Sequence, residues 1–386
     1  MNEIYLDHAA TTPVHSEVIE VMMPYLTEKY YNPSALYSPA VQIKNDIENS
    51  RKIVADFIGA EAKEIYFTSS GSESNVTAIK GWVENCLMND SKKMVIITTP
   101  IEHKSIMSIK DSIVSRFAIV EFTDVNKDGE VNIDCLERQL EYYSSIEADI
   151  LVSIQMANNE IGTIQKIGKI SNVVHSYNGV FHVDAVQAFG AIPINVKTMG
   201  VDMLSASGHK INTPKGIGIL YKSKSVEIEP LIYGSQMDSM RGSTENVPYI
   251  IGMAKAVEQK KDYVAKGNLL TERKRNIFIK RLEDIGCKLI GSRYNRLPNN
   301  INVMMPDGVG GEELLYMLDM SGIMIGVGSA CNSHSKEASH VLKAIGLNNS
   351  EAAKCIRITL SEETTDEQID YVLDCVEKAI KLLTME

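Results

Sequence analysis

Between about residue 60 and residue 222, short apolar runs alternate with stretches whose apolar positions recur every three or four residues. The short runs are rich in Val and Ile and show little polar alternation, which is typical of strands buried on both faces. The predicted strands are 64–69, 94–98, 118–122, 149–156, 180–184, 202–205 and 216–222. Repeated strand–helix–strand units predict a mainly parallel sheet covered by helices, with ligands bound beyond the carboxyl ends of the strands.

The segment before this region has the pattern of two helices. Thr12-Pro13 matches an N-cap followed by proline, so it predicts that a first helix begins there. The apolar stripe of this helix is Val14, Val18, Val21, Met22 and Tyr25. Ser38-Pro39 predicts the start of a second helix, which ends at Gly59 and buries Ile43, Ile47, Val54 and Ile58.

The last third of the chain has a different pattern. A long helix is predicted over 250–266, and short strands such as 302–305 and 356–360 then alternate with helices. We interpret the part after about residue 267 as a smaller second domain.

The composition narrows the class of protein. The chain has 386 residues, of which 44% are hydrophobic, enough for two or three domains with large cores. A formal net charge of −11 argues against broad binding to nucleic acid or to an anionic membrane surface. No apolar run approaches the roughly 18 residues that span a bilayer. The chain opens without a targeting pattern, so we expect a cytosolic protein.

The six cysteines are widely scattered, at Cys86, Cys135, Cys287, Cys331, Cys355 and Cys375. None of them forms a CxxC motif or a zinc-finger spacing, so we expect neither a disulfide framework nor a metal site. Cys331 differs from the others because it lies in the small, polar, glycine-containing stretch 326–335 without apolar periodicity. It is therefore the candidate nucleophile, and an incidental loop thiol is the alternative.

Hydrogen-bonding residues follow the predicted strand 64–69 directly. In Ser70-Gly71-Ser72-Glu73-Ser74-Asn75 a Ser and a Glu stand three positions apart, a capping-box pattern that predicts the start of a helix. Glycine, hydroxyl groups and free N–H groups at a helix N-terminus suit a phosphate. A capped helix that binds no ligand is the more common case and stays the alternative.

Two later strands are followed by a carboxyl group and by an amino group. Asp184 ends one strand, where it can face a ligand or cap the next helix. Lys210, in Ser207-Gly208-His209-Lys210, follows the next strand and falls on the same edge of the sheet as Asp184. Lys210 is either an imine-forming lysine or an exposed surface lysine. Together, a phosphate cradle, an Asp and a Lys describe a site for pyridoxal 5'-phosphate (PLP), whose pyridine nitrogen the Asp keeps protonated.

Two further motifs follow predicted strands. His103, in Glu102-His103-Lys104, can stack on a cofactor ring and exchange protons near neutral pH, or it can simply begin a helix. The stretch Asn158-Asn159-Glu160-Ile161-Gly162 offers an Asn to a ring hydroxyl, or forms a polar turn.

With these motifs the chain resembles the NifS/IscS-type cysteine desulfurases, which are class V, fold-type I PLP enzymes. The similarity extends nearly from end to end. The motifs that carry it are Tyr5-Leu6-Asp7-His8-Ala9-Ala10-Thr11-Thr12-Pro13, Asn32-Pro33-Ser34, Phe67-Thr68-Ser69, Glu102-His103-Lys104, Asn158-Asn159-Glu160-Ile161-Gly162, His182-Val183-Asp184-Ala185, Ser207-Gly208-His209-Lys210, Pro214-Lys215-Gly216-Ile217-Gly218, Gly328-Ser329-Ala330-Cys331 and Ile356-Arg357.

The resemblance implies the fold of a fold-type I PLP-dependent transferase of the α/β class. Its large PLP-binding domain, over 13–255, would contain a mainly parallel seven-stranded sheet. A smaller α+β domain would comprise 1–12 and 256–386 and carry the loop of the catalytic cysteine.

The resemblance also implies a role for each matching residue. Lys210 would bind PLP covalently, Asp184 would pair with the pyridine nitrogen, and His103 would stack on the ring and act as an acid or base. The remaining cofactor contacts would come from Asn159 and Gln187 at the ring hydroxyl, from Gly71, Ser72, Ser207 and His209 at the phosphate, and from Thr244 of the other subunit of a homodimer. Asn32 and Arg357 would hold the substrate carboxylate, Arg357 through a bidentate fork.

The implied reaction is the removal of sulfur from L-cysteine, which gives L-alanine and a persulfide on Cys331. The sulfur would pass to an acceptor protein for iron–sulfur cluster assembly or for thiolation of tRNA or a cofactor, and Cys331 could contact a cluster only during that transfer. Selenocysteine lyase or another class V reaction, such as transamination, is the alternative. A sulfur-relay scaffold without catalysis is disfavoured by the complete set Asp184, Lys210 and Cys331.

Overall fold

A computed structural model describes residues 3–266, 268–327 and 338–384. Its strands are β1 (Ile4–Tyr5), β2 (Ile65–Thr68), β3 (Met94–Thr98), β4 (Ile119–Phe122), β5 (Asp149–Gln155), β6 (Val180–Asp184), β7 (Met203–Ser207), β8 (Gly218–Lys222), β9 (Lys288–Leu289), β10 (Asn300–Met304), β11 (Ile323–Met324), β12 (Gly326–Val327) and β13 (Cys355–Thr359). Its α-helices are α1 (Ser16–Thr27), α2 (Ser38–Ile58), α3 (Gly71–Met88), α4 (Lys104–Met107), α5 (Ile133–Ser145), α6 (Ile167–Ser176), α7 (Val247–Ala265), α8 (Leu269–Asp284), α9 (Gly311–Asp319), α10 (His340–Ala344), α11 (Asn349–Ala353) and α12 (Asp366–Leu383).

A seven-stranded sheet dominates the structure, with the strand order β2-β8-β7-β6-β5-β3-β4. Neighbouring strands from β7 to β4 pair in parallel, whereas β8 pairs antiparallel with both β7 and β2. All residues of β3 and β7 are buried, as expected for strands covered by helices on both faces. The predicted mainly parallel, seven-stranded sheet is therefore confirmed.

The remaining strands form two smaller sheets. One has the order β12-β13-β10-β9 and is antiparallel, and the other pairs β1 in parallel with β11. Ile4 and Leu6 from the start of the chain join a hydrophobic cluster that otherwise contains residues of the last third, such as Phe278, Ile358 and Val376. The division into domains at 13 and 255 stays a prediction.

The helix α2 was predicted correctly at both ends. It begins at Ser38 and ends before Gly59, which takes the left-handed conformation (φ 70°) that a C-terminal glycine allows. Its four predicted core residues are buried. None of the helices in the described part of the chain is long and apolar enough to cross a membrane.

The predicted start of the first helix at Thr12-Pro13 is wrong. Helix α1 begins at Ser16, and His15 is its N-cap. The Thr12 hydroxyl instead donates to the carbonyl of His209 at 2.9 Å and accepts from the backbone N–H of Asn212 at 2.9 Å. Thr12 therefore fixes the N-terminal segment against the residues around Lys210, and the long-range contact overrides the local capping signal.

Candidate active site

A cavity of about 320 Å³ lies beyond the carboxyl ends of β5, β6 and β7, beside the N-terminus of α3. Most of the predicted site residues line it. These are Gly71, Ser72, His103, Asn159, Asp184, Gln187, Ser207, His209, Lys210 and Arg357. The structure therefore brings these residues together, and their individual roles stay predictions.

The N-terminus of α3 faces this cavity. Ser70 is the N-cap, and its hydroxyl accepts from the backbone N–H of Glu73 at 3.1 Å. The return bond of the predicted capping box differs, because the Glu73 carboxylate accepts from the backbone N–H of Ser69 at 2.8 Å. Glu73 also pairs with Arg241 at 3.0 Å. The helix start is thus fixed from two sides, and the free N–H groups of its first turn suit an anion.

Gly71 is required by a close approach at this helix end. A Cβ atom at Gly71 would lie 2.5 Å from Cγ2 of Val186 and 3.3 Å from Cβ of Ser207. The first turn of α3 can therefore touch the ends of two strands only because position 71 has no side chain.

Asp184 is 6% exposed and lines the cavity. One oxygen accepts from the backbone N–H of Val186 at 2.9 Å, and the other accepts from Nδ2 of Asn75 at 2.7 Å. Burial raises the pKa of Asp184, whereas these two hydrogen bonds act in the opposite direction. Asp184 thus caps a turn and also lines the cavity, where its carboxylate would gain from a cationic partner.

Lys210 ends a 3-10 turn, Gly208–Lys210, that follows β7 directly. Its Nζ donates to the carbonyls of Ala9 at 2.5 Å and Ala10 at 2.6 Å. The turn is tight, because a Cβ at Gly208 would lie 2.1 Å from Oγ1 of Thr213. The amine is therefore half-buried at the cavity and held by the N-terminal segment, unlike a solvent-exposed surface lysine.

His103 is the N-cap of α4 and sits at the cavity wall. Its Nδ1 lies 2.8 Å from Oγ of Ser105 and accepts from the backbone N–H of Ser105 at 3.2 Å. Desolvation lowers the pKa of His103, and the charge of Asp184 opposes this shift. The net shift of the His103 pKa favours the neutral imidazole.

Ser207 and His209 flank the start of the same turn. Ser207 is 2% exposed and closes β7, and His209 lies 3.2 Å through Nδ1 from the hydroxyl of Thr11. Burial and the charge of Lys210 lower the pKa of His209 to about 4. His209 is thus a neutral hydrogen-bonding group near neutral pH.

Of the two adjacent asparagines, Asn159 lines the cavity. Asn158 is fully buried, and its Oδ1 accepts from the backbone N–H of Glu160 at 2.8 Å, so it shapes the turn. Gln187 also lines the cavity, and its Nε2 donates to the carbonyl of Ala9 at 3.0 Å.

Arg357 of β13 reaches the cavity from the smaller antiparallel sheet. Its Nη2 pairs with Asp7 at 2.7 Å, and its Nη1 donates to the carbonyl of Asn159 at 3.3 Å. Its Nε is buried and has no hydrogen-bond partner among the described residues. Arg357 thus combines a positive charge with an unused donor, which suits a carboxylate.

Of the other predicted residues, Asn32 and Thr244 are described but do not line this cavity. Asn32 is exposed, and its Oδ1 accepts from the backbone N–H of Ser34 at 2.9 Å. Thr244 is also exposed, and it was predicted to act on the other subunit of a dimer. Cys331 lies outside the described residues. The roles of all three stay predictions.

Two polar residues of this region were not singled out from the sequence. Asn75 touches Asp184, and Ser105 touches His103. Asn75 stands four positions after Gly71 on the same helix and therefore on the same helix face. This spacing was the sequence signal that could have placed Asn75 at the cavity. Within 3–266, 268–327 and 338–384, no three His, Cys, Asp or Glu side chains come together as metal ligands.

Comparison with known proteins places the chain in a family. Residues 4–372 match the family model Aminotransferase class-V. The chain is 43% identical over 386 residues to "Cysteine desulfurase IscS" of Dictyoglomus turgidum, with 99% of this chain and 95% of the relative covered.

Solved structures agree with this assignment. A "NIFS-LIKE PROTEIN" superimposes with a TM-score of 0.90 at 33% identity, covering 99% of this chain and 100% of that one. "SspA in complex with cysteine" has a TM-score of 0.79 at 35% identity and covers 93% of this chain and 99% of that one. The chain therefore belongs to the class V aminotransferase family, within its IscS/NifS-type cysteine desulfurases.

Proposed function

We propose that this chain uses PLP to remove sulfur from L-cysteine, which gives L-alanine and a persulfide on Cys331. One observation carries the proposal: the amine of Lys210, the buried carboxylate of Asp184 and the N-terminus of α3 surround a single cavity. The relatives named cysteine desulfurases support the choice of reaction.

The residues of the cavity fit PLP, which enzymes of this family use. Lys210 would attach it, Asp184 would face its pyridine nitrogen, and His103 would lie against its ring. Its phosphate would meet Ser207, His209 and the first turn of α3, where Gly71 leaves room for close approach. Bound there, the cofactor supplies an electron sink for charge that develops on the substrate Cα.

The substrate would be held by its carboxylate and deprotonated by a lysine. Arg357 offers the charge and an unused Nε donor, and Asn32 is the second proposed contact. Lys210, once released from the cofactor, would take the proton from Cα. Its amine is already held over the site by the carbonyls of Ala9 and Ala10.

The other cysteines are poorly suited to act as the nucleophile because they are buried or do not line the cavity, which supports the choice of Cys331. Burial raises the pKa of Cys86 to about 11, and that of Cys287 and of Cys355 to about 12. Only the thiolate attacks sulfur, so these three thiols are poor nucleophiles. Cys135 and Cys375 are half-buried in α5 and α12 and do not line the cavity.

We further propose a cytosolic homodimer in which Thr244 contacts the phosphate bound by the other subunit. The sulfur would pass from Cys331 to an acceptor protein, such as a scaffold for iron–sulfur clusters. The exposed position of Thr244 in its own chain supports this arrangement.

The reaction is tested by quantifying alanine and sulfide from L-cysteine under reducing conditions. Wild type should form both, and Lys210→Ala should form neither and should lose the absorption band of the lysine-bound cofactor. Lys215→Ala is the matched control, because Lys215 is exposed and does not line the cavity. Turnover of selenocysteine without turnover of cysteine, or amino transfer to keto acids, would instead support the alternative reactions.

A further inference from the structure

The side chain of Asn75 connects two parts of the active site. It lies one turn into α3 and is 1% exposed. Both hydrogens of its Nδ2 are used: one is donated to Oδ2 of Asp184 at 2.7 Å, and the other to Oγ of Ser105 at 3.0 Å. A single carboxamide therefore links the Asp184 carboxylate to Ser105, which contacts His103.

The orientation of this carboxamide follows from its partners. An ionised carboxylate only accepts hydrogen bonds, so a reversed amide would bring Oδ1 of Asn75 against an oxygen of Asp184. In the observed orientation Oδ1 is buried and has no partner among the described residues.

The same chain of bonds fixes the ring nitrogen of His103 that carries hydrogen. The backbone N–H of Ser105 can only donate, and it points at Nδ1 of His103 at 3.2 Å. The Ser105 hydroxyl receives a hydrogen from Asn75, so it gives its own to Nδ1 at 2.8 Å. With two donors at Nδ1, the hydrogen of neutral His103 lies on Nε2.

We propose that Asn75 and Ser105 are positioning residues that couple Asp184 to His103 and hold His103 in the tautomer with hydrogen on Nε2. The proposal deepens the proposed function and rests on it for the identity of the reaction. In this state His103 offers a hydrogen bond to a bound molecule through Nε2. It cannot take a proton there until the bonds at Nδ1 rearrange, which constrains the role as a base that the resemblance implies.

The tautomer is measured directly by long-range proton–nitrogen NMR of the full chain, labelled with ¹⁵N-histidine and purified with its cofactor. The signals of His103 are assigned by their disappearance in His103→Gln. We expect a protonated Nε2 and an unprotonated Nδ1 in wild type at pH 8. Ser105→Ala should move part of the population, at least about a tenth, toward hydrogen on Nδ1, because one of its two donors is lost.

Asn75→Ala tests the other end of the link. Because it removes one hydrogen-bond donor from Asp184, we expect PLP to bind about tenfold more weakly. Because it also removes the donor to Ser105, we expect a mixture of tautomers at His103. Thr77→Val is the matched control, because Thr77 is a buried residue of α3 whose hydroxyl, among the described residues, donates to the carbonyl of Glu73 and to no other group. It should leave both readouts unchanged.

Three results overturn the proposal. The first is hydrogen on Nδ1 in wild type, and the second is an unchanged tautomer in Ser105→Ala. A shift in Thr77→Val as large as in Ser105→Ala would equally overturn it, since the effect would then be general. The tautomer is read without turnover, so a failure of the proposed reaction leaves this test intact.

Discussion

Gly71→Ala tests the packing that brings α3 against the strand ends. The added Cβ would lie 2.5 Å from Cγ2 of Val186, whereas carbon contacts are favourable at about 3.5–4.0 Å. About 1 Å of extra room is therefore needed, and the β-branched Val186 side chain has few rotamers with which to provide it. Moving Val186 also moves the N–H that it donates to Asp184 at 2.9 Å.

The expected magnitude is that of overpacking in a core, about 1–3 kcal/mol. If about half of this free energy, ~0.5–1.5 kcal/mol, appears in binding, PLP affinity falls roughly two- to twelvefold, because 1.4 kcal/mol corresponds to a factor of ten. Affinity is measured by fluorescence titration of the cofactor-free protein, and stability by urea unfolding of the same sample.

A second substitution isolates the cause. Adding Val186→Ala removes Cγ2, so the double variant should bind PLP more tightly than Gly71→Ala alone. Gly168→Ala in α6 is the control, because beyond its chain neighbours and the backbone of its own helix no described heavy atom lies within 4 Å of the added Cβ. Unchanged PLP affinity in Gly71→Ala, or no recovery in the double variant, would refute the packing argument.

Two further predictions concern pH and assembly. Burial lowers the pKa of His182 to about 3 from 6.5, so the folded state keeps it neutral while the unfolded chain binds a proton below pH 6.5. The free energy of unfolding therefore falls by about 2 kcal/mol between pH 8 and pH 5. In urea unfolding, His182→Gln should not show this decrease. A pH profile of unfolding identical to that of wild type would contradict the prediction. Mixed dimers of Lys210→Ala and Thr244→Ala subunits should regain one intact site, so their PLP affinity should exceed that of Thr244→Ala alone. A monomer in analytical sedimentation would contradict the shared site.

The strands of the large sheet were predictable because buried parallel strands have a local signature. Two features of the same sheet were not. The run at 118–122 looks like the others, yet β4 is an edge strand and Ile119 is 54% exposed. The antiparallel direction of β8 depends on the path of the chain around it, and no pattern within the strand encodes that path.

The site was predictable as far as its residues directly follow strands, as Asp184 and Lys210 do. The N-terminal segment was harder, because its contacts are long-range. The carbonyls of Ala9 and Ala10 that hold Lys210 come from about 200 positions away. Asn75 was missed for a related reason: its partners Asp184 and Ser105 belong to other elements, and only the folded chain shows that they meet.

In the proposed reaction, sulfur moves from L-cysteine to Cys331. The most direct measurement is peptide mass spectrometry after brief anaerobic exposure of the purified protein to L-cysteine, with alanine quantified in the same sample. We expect one added sulfur atom on the peptide that contains Cys331. We also expect that Cys331→Ser binds PLP but forms no persulfide. An added sulfur at Cys86 or Cys355 with Cys331 unmodified, or normal alanine release by Cys331→Ser under reducing conditions, would show that Cys331 is not the nucleophile.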